Sequence, residues 1–146
     1  MAKVDKEVWI KAPLDKLYDY ISYPGNMPEF WPSLTDIFDI HSLPNGGYAV
    51  KWVYKMLGIH FKGKAEYTRM VPNEFFVIET KGGIESNIVW TFRSREDKTR
   101  VTFTVIYKIP VPLLSKLAEA IITKMNDHEG ELIMANLHTR FTPDYY

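Results

Sequence analysis

Residues 112–142 read PLLSKLAEAIITKMNDHEGELIMANLHTRFT, with no proline after the first position. At about 100° per residue, Leu114, Leu117, Ala118, Ile121, Met125, Leu132 and Asn136 fall on one side. Lys116, Glu119, Lys124, Asp127 and Glu131 fall on or toward the other. The spacing predicts one long amphipathic helix with a solvated back and an apolar stripe that needs a partner surface. A proline in its first turn is tolerated because that N–H has no helical partner, and Pro143 is expected to stop it.

Upstream of the helix the period changes to two, and the chain supplies that partner surface. Residues 34–41 form a candidate strand ending in a turn at Pro44-Asn45-Gly46-Gly47, where Asn-Gly is a strong hairpin signal. Tyr48, Val50, Trp52 and Tyr54 then alternate with Ala49, Lys51, Val53 and Lys55. Further alternating runs follow over 59–68, 75–81, 84–93 and 100–109, separated by turn residues at Gly58, Pro72-Asn73 and Gly82-Gly83. Six consecutive strands with short turns make an antiparallel meander with one apolar and one wet face. Residues 4–10 add an N-terminal strand. Pro13 then opens a helix carrying Leu14, Leu17, Tyr18 and Ile21, halted by Tyr23-Pro24-Gly25-Asn26. The proline-broken segment 27–32 allows only a short second helix. The fold class is therefore α+β: a curved antiparallel sheet of about seven strands gripping the C-terminal helix, with two short helices between strands 1 and 2.

The chain has 146 residues, the usual size of one domain, and nothing marks a linker or repeat, so 1–146 reads as a single domain. Eighteen basic residues balance eighteen acidic ones, which gives no charge argument for nucleic acid or an anionic membrane. The absence of cysteine removes disulfides, thiol catalysis and cysteine-ligated zinc. No run approaches the ~20 apolar residues of a membrane span, and the N-terminus lacks a leader-like segment. The expectation is a cytoplasmic protein with no membrane insertion. Oligomeric state is left open.

Ile10-Lys11-Ala12-Pro13, Leu17-Tyr18-Asp19-Tyr20-Ile21, and Tyr23-Pro24 through Phe30-Trp31-Pro32-Ser33, set in this order of elements, resemble the START/polyketide-cyclase superfamily. This is the helix-grip fold of SRPBCC type. The resemblance implies a pocket between sheet and helix for an apolar ligand: lipid, sterol, polyketide or quinone in some members, aromatase/cyclase chemistry in others. It implies no cofactor, and it does not choose between a binding protein and an enzyme.

The inward-pointing positions of the alternating strands are rich in rings: Tyr48, Trp52, Tyr54, Phe61, Tyr67, Trp90, Phe92, Phe103 and Tyr107. By pattern alone they either fill a solid core or line a cavity whose tyrosine hydroxyls orient a ligand. Gly63, Ala65 and Ser86 at the same inward positions leave room beneath the helix, and the resemblance favours the cavity. The expected ligand-contacting set is Tyr48, Trp52, Tyr54, Phe61, Tyr67, Ser86, Trp90, Phe103 and Tyr107 from the sheet, with Ile121, Met125, His128 and Asn136 from the helix. Asn136 reads by a narrow margin as a satisfied buried amide rather than a ligand contact.

His128 and Glu129 are the weak catalytic candidates, because a histidine and a carboxylate beside a pocket can be tuned as acid and base. Adjacent helical residues diverge by about 100°, however, so both cannot easily aim at one atom. No metal site is expected: His41, His60, His128 and His138 show no ligand spacing. Met27, Pro28, Phe30 and Trp31 either cap the core or form one lip of a ligand opening, with Leu57 and Gly58 on another side. Lys51, Lys55, Lys62 and Lys64 read as a solvated outer face.

Overall fold

The computed structural model describes residues 2–141; the expected helix end at Thr142 and stop at Pro143 lie outside them. The order is β1 (Ala2–Ile10), α1 (Leu14–Ser22), a 3-10 turn (Pro24–Glu29), β2 (Leu34–Ser42), β3 (Tyr48–Met56), β4 (Ile59–Val71), β5 (Phe75–Gly82), β6 (Ser86–Arg95) and β7 (Lys98–Tyr107). A second 3-10 turn (Val111–Leu113) leads into α2 (Lys116–Phe141). The seven strands form one sheet in the order β1-β7-β6-β5-β4-β3-β2. Each pairs antiparallel with its neighbour. Because β1 and β2 sit at opposite edges, α1 and the first 3-10 turn must cross the sheet between them. The α+β architecture, an antiparallel sheet with a long C-terminal helix, is as the periodicities imply.

One inward position of the sheet has to lack a side chain. Gly63 on β4 lies opposite Trp52 on β3 and Gly82 on β5. A Cβ at Gly63 would sit 2.4 Å from Trp52 Cζ2 and 2.3 Å from the Lys81 carbonyl oxygen. The indole therefore lies directly over the β4 backbone, a close approach that only glycine permits.

The two ends of the interior differ. Toward α1 the core is solid aromatic packing. Tyr18 meets Phe76 and Phe92 edge-on, and the Phe76 ring stacks with those of Tyr67, Trp90 and Phe92 at 5.5–6.4 Å. Phe30 closes on Trp90 at 6.0 Å. Such ring contacts add about 0.5–1.5 kcal/mol each beyond burial.

Two sequence expectations for α2 need correction. The helix starts at Lys116 rather than Pro112, because Val111–Leu113 forms its own 3-10 turn and Ser115 takes the N-cap. Ser115 Oγ accepts the Ala118 N–H at 3.1 Å, satisfying one of the first turn's orphan donors. The buried face is also not the expected stripe. Ile122, Gly130, Ile133, Met134 and Leu137 are buried, whereas Leu114, Leu117, Ile121, Met125 and Leu132 are exposed. The inward face is the expected one rotated by roughly 130° about the helix axis.

The second half of α2 is heavily tied down. Gly130 rides over β1, and Lys6 on that strand pairs with Asp127 at 3.0 Å and Glu131 at 3.5 Å. Asn136 Nδ2 donates to the Phe30 carbonyl at 3.1 Å. Arg140 pairs with Glu29 at 3.4 Å and lies over the Tyr20 ring, while the Tyr20 hydroxyl donates to the same Glu29.

Candidate functional site

At the end of the interior away from the aromatic stack, sheet and helix do not meet. A cavity of about 110 Å³ lies between them with an almost wholly apolar wall. A buried water needs about 10–15 Å³ and two to four polar partners. The chamber has space for several waters but few groups to hold them. Its floor is the inward face of the sheet, including Val50, Trp52, Ile78, Ile88 and Val105. Met27 and Trp31 form a side, and Asn126, Glu129, Gly130 and Ile133 of α2 form the roof.

Most polar groups on this wall have defined partners. Glu129 Oε1 accepts the Ser33 backbone N–H at 2.7 Å. Trp31 Nε1 donates to the Tyr54 hydroxyl at 3.4 Å, and Tyr54 also interacts with Ser33. The Ser33 carbonyl in turn accepts the Lys55 N–H at 2.8 Å. Tyr54 and Glu129 thus converge on the segment 31–33 from opposite sides, one from β3 and one from α2. Burial, then the Glu129 negative charge, pushes the Tyr54 hydroxyl well above its ordinary range, so it stays protonated. Nearby, Asn126 Nδ2 donates to the Tyr107 hydroxyl at 2.9 Å, and burial raises Tyr107 also. On the floor, the Thr80 and Ser86 hydroxyls lie 2.5 Å apart and Thr80 Oγ1 donates to the Ile84 carbonyl. The Trp52 indole N–H is buried and has no hydrogen-bond partner.

Of the expected ligand-contacting residues, Trp52, Tyr54, Tyr67, Ser86, Phe103 and Tyr107 come together on the cavity wall. The others lie elsewhere. Trp90 is fully buried among Phe30, Phe76 and Phe103 and fills the core. Tyr48 packs on Tyr23 and Tyr67, and Phe61 is buried but off the wall. The rotation of α2 turns Ile121, Met125 and His128 to the exterior, where they do not reach the cavity. His128 pairs there with Glu131 at 3.6 Å. Asn136 holds the Phe30 carbonyl and is off the wall. The two catalytic candidates are therefore split, Glu129 inside and His128 outside.

Sequence reasoning missed Asn126, Thr80 and Ile133, and it weighed Trp31 only as a lip or cap. The available signal was helical: Asn126, Glu129 and Ile133 lie within about 40° of Ile122 when projected at 100° per residue. A search for polar residues in phase with a second apolar stripe would have found them.

The sequence matches, over residues 1–142, the family described as polyketide cyclase / dehydrase and lipid transport. No curated protein matches the chain. Among solved structures, a START superfamily protein from Mycobacterium smegmatis is similar with a TM-score of 0.80 at 12% identity, covering 97% of both chains. TTHA0849 from Thermus thermophilus gives 0.73 at 19% identity, covering 95% of this chain and 96% of that one. The Zhui aromatase/cyclase from Streptomyces sp. R1128 gives 0.70 at 10% identity, covering 96% and 95%. At these identities the structures speak for the fold alone. The family match spans nearly the whole sequence, and with it the protein belongs to the polyketide cyclase / dehydrase and lipid transport family.

Proposed function

We propose that this protein binds a hydrophobic or amphipathic small molecule in the chamber beneath α2. The observation that carries the reading is an apolar space with only a few hydroxyl, amide and carboxylate groups on its wall. Poorly held water is displaced at little cost there, and burial of apolar ligand surface contributes roughly 25 cal/mol per Å². The wall's polar atoms then fix orientation rather than supply most of the affinity. The neighbouring aromatase/cyclase and START structures, and the family's description, are consistent with such a ligand.

The test is native mass spectrometry of the purified protein, with titration of apolar ring compounds followed by tryptophan fluorescence, since Trp31 and Trp52 line the space. Uptake with a fluorescence change supports the reading. A protein that stays empty and indifferent to every apolar compound sinks it.

A second reading is favoured by the convergence of Glu129 and Tyr54: a cyclase or dehydratase working in the same chamber. Glu129 would take the proton from a carbon between two carbonyls of a folded polyketone chain. The persistently protonated Tyr54 would donate a hydrogen bond to the oxygen on which negative charge develops. His128 has no part in it, being outside. Glu129→Gln should then abolish turnover and spare binding; turnover that survives this change removes the second reading.

A further inference from the structure

The chamber's single formal charge is negative. Among the residues on its wall, Glu129 is the one carboxylate, and no lysine, arginine or histidine faces it. Among the described residues no cation lies within ion-pair distance of Glu129. Its Oε1 is anchored by the Ser33 N–H, but an ionised carboxylate offers about four acceptor sites over its two oxygens, so accepting capacity remains. Beside it, the Tyr54 oxygen accepts from Trp31, and its own proton remains available to donate.

An acceptor and a donor next to each other match one kind of partner well. A hydroxyl can give its proton to the carboxylate and accept from the tyrosine. A carbonyl can only accept, and leaves Glu129 without a partner. A carboxylate or phosphate would meet a like charge beside an almost wholly apolar wall, where such juxtaposition is unfavourable. An ammonium would donate, but must be stripped of its water to enter.

Resting on the ligand-binding reading above, we infer that the natural ligand is an apolar ring or chain ending in an uncharged hydroxyl, a phenol or an alcohol, seated between Glu129 and Tyr54. The site selects against free carboxylates of the same shape.

The experiment compares three probes of one shape, 4-propylphenol, 4-propylbenzoate and propylbenzene, by calorimetry at neutral pH on the full chain. The phenol is expected to bind at least about 10-fold tighter than the hydrocarbon and about 100-fold tighter than the benzoate. Glu129→Gln keeps an oxygen for the Ser33 N–H while removing the charge, and should narrow the phenol-to-benzoate ratio by about tenfold or more. A spectroscopic arm uses 4-nitrophenol, whose neutral and ionised forms absorb differently. Bound to the unaltered protein it should stay neutral to higher pH than it does bound to the Glu129→Gln variant. Burial alone acts equally in both proteins, so the difference isolates the carboxylate. Benzoate binding as tightly as phenol, or a ratio and titration unmoved by the substitution, overturns the hydroxyl assignment while the binding reading stands. Failure of all three probes, the hydrocarbon included, overturns the binding reading and the assignment with it.

Discussion

Gly130 of α2 crosses so close above Val4 of β1 that a Cβ added there would lie 2.7 Å from Val4 Cγ1 and 3.0 Å from Lys6 Cγ. Alanine in a helix interior normally gains about 1 kcal/mol over glycine, whereas forcing a methyl into a packed contact costs about 1–3 kcal/mol. The valine methyl is short and held in the core, so the contact should win. Gly130→Ala is expected to destabilise by about 1 kcal/mol in urea unfolding. In a Val4→Ala background the same change should be neutral or stabilising. A stabilised single variant would show that the helix has room to spare over β1.

The glycine in the sheet is under a stricter constraint. Gly63→Ala meets both the Lys81 carbonyl and the Trp52 ring, neither of which can withdraw without breaking a strand pairing or the floor of the chamber. A loss of about 3 kcal/mol or more, or failure to fold, is expected. Gly58, at the β3–β4 turn with φ +75 and nothing within 4 Å of an added Cβ, is the control. There alanine costs only the left-handed strain of about 1–2 kcal/mol. Denaturation midpoints of the two variants check the difference, and equal losses would refute the close approach at Gly63.

The rotation of α2 can be read by substitution. Ile122 and Ile133 are buried, so each alanine variant should lose about 2–5 kcal/mol. Ile121 and Met125 are 42% and 47% exposed, and serine at either should change stability by about 0.5 kcal/mol or less. The reverse order would restore the face expected from the sequence.

Alkaline pH should act through the internal tyrosines. Tyr54 and Tyr67 are raised in the folded protein, chiefly by burial, from an ordinary value of 10.0. Between the unfolded and folded values the folded state binds more protons, so unfolding free energy falls with rising pH. Their contribution is fully present below about pH 10 and is lost progressively above it. Urea midpoints should therefore be level from neutral pH to about pH 9 as far as these groups are concerned, then drop. Tyr54→Phe should shallow the drop. Tyrosinate absorbance that develops fully before unfolding would contradict the burial of both rings.

The sheet was legible because most strands alternate and most turns carry Gly, Asn or Pro; β2 and β4 break the alternation at register shifts, and the β6–β7 turn is Glu96-Asp97. Trp52, Tyr54 and Tyr107 fell on the inward face by counting alone. The face of α2 was not legible for a physical reason. The helix has apolar residues on two sides, with Leu117, Ile121, Met125 and Leu132 on one and Ile122, Ile133, Met134 and Leu137 on the other. Periodicity cannot rank two stripes. The sheet selects the one containing Gly130, since only a residue without a side chain fits over Val4. That choice carries Asn126 and Glu129 inward and leaves aliphatic side chains in water. Local pattern and final structure therefore disagree at the helix face that roofs the chamber, where close packing on β1 decides between the two stripes. The split between solid core at Trp90 and open space at Tyr54 was equally hidden, because alternation gives direction but not distance.

The uneven fastening of α2 makes it a cantilever. From Asn126 onward it is bolted to β1, β7 and the 3-10 turn by ion pairs and hydrogen bonds. Its leading turns rest chiefly on the buried Ile122. Bending such a beam costs least at its unsupported tip, so amide hydrogen exchange should run faster across residues 119–125 than across 130–137. A molecule filling the chamber would meet the anchored root, at Asn126, Glu129, Gly130 and Ile133, and leave the tip free to bend on its own.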